Sequence, residues 1–396
     1  MTPALSGFAA LGLGPLFIRP LAERGINAPT EIQRRVIPRL LRGEHTLFSS
    51  PTGTGKTFAY LLPLLQSLTD EPAEPGASGG PRLLICAPTY ELCAQIKGEA
   101  DFLLREAARD AGTLSLPKTA LIIGGGGMGR QIEALKRDKP GVVVGNPGRL
   151  LQLAQAGKLR LRSIRSLVLD EGDRLTAKEL SAETLALAAL LNPQRRSAAC
   201  SATLSLKKQE QLLPLMGAPV FLENAPGDLL RERIEHWALW SEERRRKSRV
   251  LRSLLAAVKP RKALVFAGPG AAAGSVAAEL QRRHAAAGAL HGDMEKQARK
   301  QALEDFRRGR INILVTSDLA ARGLDIHEIT HIIALDVPAD EEAYIHRAGR
   351  TARAGKRGVM ATIADAEELE RLAKLEKRLG ITIYPKALYQ GRLVAP

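Results

Sequence analysis

Two short stretches place reactive residue types at spacings that suit nucleotide chemistry. "SPTGTGKT", residues 50–57, lies directly after the apolar "TLF" and before the helical run "FAYLLPLLQSL". The glycines Gly53 and Gly55, with Thr52 and Thr54 beside them, let backbone N–H groups wrap phosphate oxygens at a helix N-terminus. Lys56 can reach the terminal phosphates and Thr57 can hold Mg²⁺. The strict phosphate-loop pattern has a glycine where Ser50 stands here. The second stretch, "SLVLDEGDRL", residues 166–175, sets an apolar run against three carboxylates. Asp170 is placed to hold Mg²⁺ through its water shell, and Glu171 to orient and deprotonate the water that attacks the terminal phosphate. Asp173 suits hydrogen bonding better than metal, and Gly172 leaves space between the acids.

These residues need a scaffold that brings a phosphate loop and an acidic strand end together. In an open parallel sheet, ligands sit beyond the carboxyl ends of the strands. The apolar runs in "HTLFSS", "RLLICAP", "TALIIGG", "GVVVGNP", "SLVLDEG" and "RSAACSAT" alternate with helical periodicity, as parallel βα units do. The pattern breaks at "ENAPGDLLRER" and resumes with "KALVFAGP", "AALHG", "INILVTSD", "THIIALDV" and "GVMATIA". Two α/β domains follow, residues 1–223 and 233–378, joined by a linker at 224–232 and followed by a short tail at 379–396. The Pro- and Gly-rich insert at 70–81 reads as a surface loop.

Composition narrows the partners. With 58 Lys and Arg against 42 Asp and Glu, the net charge is +16, which favours a polyanion. Aromatic residues make up 4%, so contact to a phosphate backbone fits better than a broad platform of stacking rings. No apolar run reaches the length of a membrane span, and the start lacks the basic region of a signal peptide, so a soluble cytoplasmic protein is expected; separately, the chain is expected to be a monomer. Cys86, Cys93 and Cys200 are widely spaced without a Cys-x-x-Cys pair, which supports neither a disulfide framework nor a zinc site. No ligand spacing surrounds His291 or His346.

In order along the chain, "GINAPTEIQ", "SPTGTGKT", "APTYELCAQ", Gly124 and Gly125, "NPGRL", "DEGD", "SAT", "LVFAGP", "HGDMEKQAR", "TSDLAARGLDI" and "HRAGRTARAG" resemble the motifs of the DEAD-box ATP-dependent RNA helicases. That resemblance spans nearly the whole sequence. It implies two tandem RecA-like domains, each a parallel sheet flanked by helices, and RNA-dependent hydrolysis of ATP with Mg²⁺ that locally unwinds or remodels RNA. By the same resemblance Gln33 reads the adenine edge, Asp325 binds the ribose, and Arg350 and Arg353 act as arginine fingers. Arg347, Arg350 and Arg353 at spacing three would lie along one side of a helical turn. Pro88, Thr89, Gly125, Gly148, Arg149 and Thr316 match positions that grip RNA phosphates and the 2′-OH without reading sequence, and Ser201 and Thr203 match the hydroxyls that couple the nucleotide site to interdomain contacts.

The departures fall mainly on the RNA-facing loops: Tyr90 for an arginine, Asn146 for a threonine, Lys296 for a glutamine and Ala352 for a glycine. They predict an RNA affinity or preference that differs from the family norm. Two other readings compete: a DNA helicase or translocase of related architecture, and an ATP-dependent clamp that binds RNA as a scaffold and hardly unwinds it. A nucleotide kinase is disfavoured, because it does not need the arginines of the second half. Which RNA is remodelled is not written in the motifs, and targeting falls to the short tail or to protein partners.

Overall fold

The computed structural model describes residues 6–51, 53–70, 80–110, 112, 116–125, 127–202, 204–223, 227–243, 246–268, 270–321, 328–352 and 356–396. The main division of the chain falls between residues 224 and 225, and each side builds its own sheet.

The first sheet has seven strands: β1 (Thr46–Ser49), β2 (Leu83–Cys86), β3 (Thr119–Ile122), β4 (Val142–Gly145), β5 (Ser166–Asp170), β6 (Arg196–Ser201) and β7 (Val220–Glu223). They run in the order β3-β4-β2-β5-β6-β1-β7 with parallel pairing throughout. Side chains alternate between the two faces along a strand, so each strand feeds two cores. Phe48, Ile85, Val144 and Val168 point into one, and Leu47, Leu84, Val143 and Leu167 into the other. Helices cover both faces, which is why these strands read as continuous apolar runs. The order puts β1, the strand before the phosphate loop, two places from β5, the strand that ends in Asp170, with β6 between them.

The second sheet has eight strands: β8 (Ile234–Trp240), β9 (Ala263–Phe266), β10 (Ala287–Leu290), β11 (Ile313–Thr316), β12 (His331–Ala334), β13 (Gly358–Ala364), β14 (Ile383–Tyr389) and β15 (Arg392–Val394). Their order is β10-β11-β9-β12-β13-β8-β14-β15, parallel except for the last pair. Leu264, Phe266, Leu314 and Ile332 fill one core, and Val265, Val315 and Ile333 the other.

Four strands lie outside the expected runs. Residues 379–396, expected to form a tail, supply β14 and β15 at the edge of the second sheet. Pro385 hides this strand in the sequence. It is tolerated because β15 pairs with β14 only over residues 387–389, so no neighbour on that side needs a donor from position 385. Gln390 and Gly391, with φ of 46° and 75°, make the two-residue turn between the antiparallel strands. Of the segment expected to be a linker, 224–232, residues 224–226 lie outside the described residues and the rest belongs to the helix Gly227–Arg233, after which β8 follows at once. β7 does not stand out as an apolar run, because "VFLE" is a mostly exposed edge strand. No helix among the described residues is long and apolar enough to cross a membrane.

Candidate active site

The phosphate loop leaves β1 and turns into the helix Lys56–Asp70. Gly53 and Gly55 take φ of 80° and 87°, a region that side chains with a Cβ avoid, and this lets the loop curl back on itself. Ser50 is fully buried and its hydroxyl donates to Thr54 Oγ1 at 2.7 Å, while Lys56 Nζ donates to the Ser50 carbonyl at 2.6 Å. The serine at the place of the motif's first glycine therefore braces the loop from inside. Thr57 sits in the first turn of the helix, half-buried.

Gln33 is held against this loop. It lies in the helix Glu31–Leu41, where its Oε1 accepts from Thr30 N at 2.9 Å in a capping box. Its Nε2 donates to the Gly55 carbonyl at 3.1 Å, and a Cβ on residue 55 would stand 2.4 Å from Nε2. Gln33 is 2% exposed. An amide carries a second N–H and a second lone pair, so one donor and one acceptor remain for a base edge.

Asp170 ends β5 and is the most tightly held carboxylate of the site. Tyr60 Oη donates to its Oδ2 at 2.7 Å, while the Glu171 amide at 2.9 Å and Cys200 Sγ at 3.2 Å donate to its Oδ1. Burial pushes the Tyr60 phenol and the Cys200 thiol well above their usual ranges, so both stay protonated donors at neutral pH. Neither was singled out from the sequence. The available signal for Tyr60 is its position four residues after Lys56, which puts both on one helix face; for Cys200 it is a place on β6, the neighbour of β5 in the sheet.

Glu171 adopts a left-handed backbone, φ 52° and ψ 52°, which costs a non-glycine residue about 1–2 kcal/mol. Such strain collects at functional positions, where the surrounding structure holds it. Asp173 is buried and accepts from Ser201 Oγ, with Lys208 Nζ 3.7 Å away. The hydrogen-bonding part expected for Asp173 is thus what the geometry displays, and it ties the "SAT" strand end to the acidic turn.

Of the residues matched to RNA contacts, Thr89 caps the helix Tyr90–Asp110, its Oγ1 accepting from Leu92 N at 3.3 Å. Pro88 precedes it, half-buried. Gly125 is exposed with φ of 76°, and Gly148 and Arg149 lie in the first turn of the helix Pro147–Gln155. A Cβ added at Gly125 or Gly148 would meet nothing within 4 Å, so both leave open space for an approaching strand. Thr316 is fully buried at the end of β11, with its hydroxyl donating to the Ser317 carbonyl at 3.1 Å. Thr52, Thr203, Asp325 and Arg353 lie outside the described residues.

Arg347 and Arg350 of "HRAGRTARAG" do not share a helix side. The helix Glu341–Ala348 closes at Gly349, so Arg347 lies in its last turn and Arg350 beyond its end. Arg347 is a structural clamp: Nε and Nη2 donate to both oxygens of Asp318 at 2.7 and 2.6 Å, Nη2 donates to Asp336 Oδ2 at 2.8 Å, and Nη1 donates to the Asp336 carbonyl at 2.9 Å. Burial opposes its charge, but the two carboxylates outweigh that and hold it above its ordinary range. Arg350 is largely buried in the turn that follows.

Residues 30–212 match the DEAD/DEAH box helicase family, and residues 246–355 match the helicase conserved C-terminal domain. This chain belongs to the DEAD-box helicases. It is 32% identical over 380 residues to the DEAD-box ATP-dependent RNA helicase CshC of Bacillus cereus, covering 96% of this chain and 93% of the relative. Against the ATP-dependent RNA helicase SrmB of Escherichia coli it is 32% identical over 369 residues, covering 93% and 81%. Among solved structures, Dbp5 of S. cerevisiae bound to RNA and ADP BeF3 superimposes with a TM-score of 0.83 at 26% identity, covering 96% of this chain and 95% of that one. The fold is therefore the tandem RecA-like pair of the family.

Membership makes two departures readable. The family's name motif has alanine where this DEAD-box protein has Gly172, and a Cβ there would meet Leu212 Cδ2 at 3.1 Å and Cδ1 at 3.2 Å. The space at Gly172 is thus taken by Leu212 rather than left between the acids. Ala352 stands where the motif "HRxGRTGR" has glycine, and its φ of 56° keeps the conformation a glycine would adopt freely.

Proposed function

We propose that this protein is an ATP-dependent RNA helicase that binds RNA through its phosphate backbone and locally separates or remodels RNA structures, with residues 1–223 forming the ATP-binding domain and the residues from 233 onward the second helicase domain. The observation that carries this reading is the pairing of a phosphate loop braced by Ser50 and Lys56 with an Asp170 carboxylate fixed by three donors, on strand ends two places apart in one parallel sheet.

Asp170 and Thr57 offer hard oxygen donors of the kind Mg²⁺ takes, and the ion would neutralise charge on the transferred phosphoryl group when bound. Loop amides from Thr52 to Thr57 and Lys56 hold the phosphates. Glu171, displaced from the helical line by its left-handed backbone, orients the attacking water and takes its proton. Gln33 uses its remaining donor and acceptor to select adenine, and Asp325 binds the ribose. Arg350 and Arg353 stabilise the transition state rather than the bound nucleotide. Pro88, Thr89, Gly125, Gly148, Arg149 and Thr316 contact the RNA, and Ser201 with Thr203 transmits the nucleotide state. Binding of ATP and RNA drives closure, and hydrolysis resets it.

The test is hydrolysis measured with ATP and GTP, each with RNA, with DNA and with no nucleic acid. Strong stimulation by RNA and preference for ATP are expected. Equal stimulation by DNA would favour the translocase reading, and equal use of GTP would remove the assignment of Gln33. ATP-dependent strand displacement separates a helicase from a clamp that only holds RNA.

A further inference from the structure

In the second sheet β10, β11 and β9 are adjacent, and the loops entering their amino ends carry "RRHAA" at 282–286, "RRGRIN" at 307–312 and "KPRK" at 259–262. Backbone hydrogen bonds lock these loops side by side: Asn312 N donates to Ala286 O at 2.9 Å, Ala263 N to Asn312 O at 2.8 Å, and Thr330 N to Lys262 O at 3.0 Å. The helix Lys247–Val258 packs mainly on β13, β14 and β15, and its flank brings Arg249 and Arg252 beside this edge. A cavity of about 780 Å³ opens there, with Arg249, Arg252, Lys259 and Arg283 around an apolar floor that includes Leu255 and Leu280.

Three acids of this edge are already engaged: Glu279 with Arg252 at 3.5 Å, Glu328 with Arg261 at 3.2 Å, and Asp305 with Arg310 at 2.8 Å. Arg249, Lys259, Arg282 and Arg283 have no ion-pair partner among the described residues, and all four are exposed. Part of this charge has a local purpose. Helices in parallel βα units end at the amino edge of the sheet, where a cation offsets the partial negative charge of the helix C-terminus. Lys262 meets that need at one helix end, its Nζ donating to the Arg307 carbonyl at 3.1 Å, whereas Arg282 and Arg283 stand together beside Arg249 and Lys259 with no acid paired to any of the four among the described residues. The surplus costs self-repulsion, which a bound polyanion would relieve.

The motif loops "HGDMEKQAR", "TSD" and "AGP" leave from the carboxyl ends of these same three strands. Four residues of strand, about 13 Å, separate the two edges. RNA gripped at the motif loops therefore does not also cover the basic edge.

We propose that the amino edge of β9, β10 and β11, centred on Arg249, Lys259 and Arg283, is a second RNA-binding surface that holds the phosphate backbone of RNA flanking the segment in the motif loops. The proposal rests on the RNA-helicase reading. It assigns a place to much of the protein's excess positive charge, and it predicts a grip without base preference, because guanidinium and ammonium groups on phosphate oxygens carry no sequence information.

The experiment compares the wild-type chain with Arg249→Ala/Lys259→Ala/Arg283→Ala on two RNAs: a single strand of about six nucleotides, enough for one binding groove, and the same strand extended by a hairpin. A second variant, Arg249→Lys/Arg283→Lys, keeps the charge. At low salt the triple variant should bind the extended RNA about tenfold more weakly. Its slope of log K against log salt should be shallower by about 2–3, since each lost phosphate contact removes roughly 0.7–0.9. Affinity for the short strand, and hydrolysis stimulated by it, should be unchanged, and the lysine variant should bind the extended RNA like wild type. An unchanged affinity and salt slope on the extended RNA would overturn the proposal. So would an equal loss on both RNAs, which marks a general field, or unaltered RNA binding together with lost binding of an acidic, apolar peptide, which marks a protein-docking face. Failure of the short strand to stimulate wild-type hydrolysis would instead refute the helicase reading itself.

Discussion

Tyr60→Phe removes one oxygen from the interior of the first domain and leaves the ring. Tyr60 is fully buried and Asp170 is 4% exposed, so water does not readily replace the lost donor. Asp170 Oδ1 keeps its bonds from the Glu171 amide and the Cys200 thiol, while Oδ2 loses its only donor among the described residues. A hydrogen bond to a charged group contributes about 1.5–3 kcal/mol. With no cavity to add, the first domain should lose about 2 kcal/mol, seen as a fall of about 4–8 °C in its melting temperature. The carboxylate is also freed to rotate. Groups that orient a metal ligand contribute about 10–100-fold to metal affinity, so the Mg²⁺ concentration that half-saturates binding of a fluorescent ATP analogue should rise about tenfold. Cys200→Ala should add to the effect and Cys200→Ser, which keeps a donor, should not. A melting shift with an unaltered Mg²⁺ requirement would refute the reasoning, because Tyr60 would then support packing without positioning Asp170.

Three further outcomes follow from the second domain. Arg347→Ala should cost about 1–3 kcal/mol, since its hydrogen bonds to Asp318 and Asp336 are lost while both acids, being partly exposed, regain water, whereas Arg350→Ala should slow hydrolysis with little effect on melting or on ATP affinity; chemical denaturation and kinetics of both variants check this. His236 is buried, with Nδ1 2.7 Å from Tyr344 Oη and Nε2 2.9 Å from the Leu230 carbonyl, and burial lowers its pKa below the ordinary 6.5. The unfolded chain then binds more protons than the folded one below pH 6.5, so the stability from neutral His236 is full above that value and falls on acidification toward the depressed folded pKa. His236→Gln should flatten that part of the stability–pH curve. Ala352→Gly should stabilise the second domain by about 0.5–1 kcal/mol, the left-handed penalty of about 1–2 kcal/mol less the added chain entropy of glycine, and an unchanged denaturation midpoint would show that Ala352 is not strained.

The parts of the site that were legible in the sequence are those whose chemistry is local. A phosphate loop is made by its own backbone, and an acidic strand end is made by one strand, so "SPTGTGKT" and "SLVLDEGD" announce themselves. What was hidden depends on neighbours across the sheet. Nothing in the order of residues places Tyr60, Asp170 and Cys200 together, 110 and 30 residues apart, until β1, β6 and β5 are set side by side. Arg347 reads like its partners at spacing three, yet Asp318, at the start of a short helix, and Asp336, after β12, draw it inward. The edge strands β14 and β15 were obscured by a proline and by half-exposed residues, because an edge strand need not bury both faces.

The reading of the acidic turn is tested most directly by how long RNA stays bound. In the presence of ATP and Mg²⁺, Glu171→Gln keeps the size and hydrogen bonding of the side chain; with Glu171 in the proposed role of base, the nucleotide should still bind and the resetting step should be blocked. RNA should dissociate from this variant more slowly than from wild type, while Asp170→Asn, which weakens the hold on Mg²⁺ and ATP, should release RNA without any ATP-dependent delay. Normal hydrolysis by Glu171→Gln, or equal RNA retention by the two variants, would contradict the account.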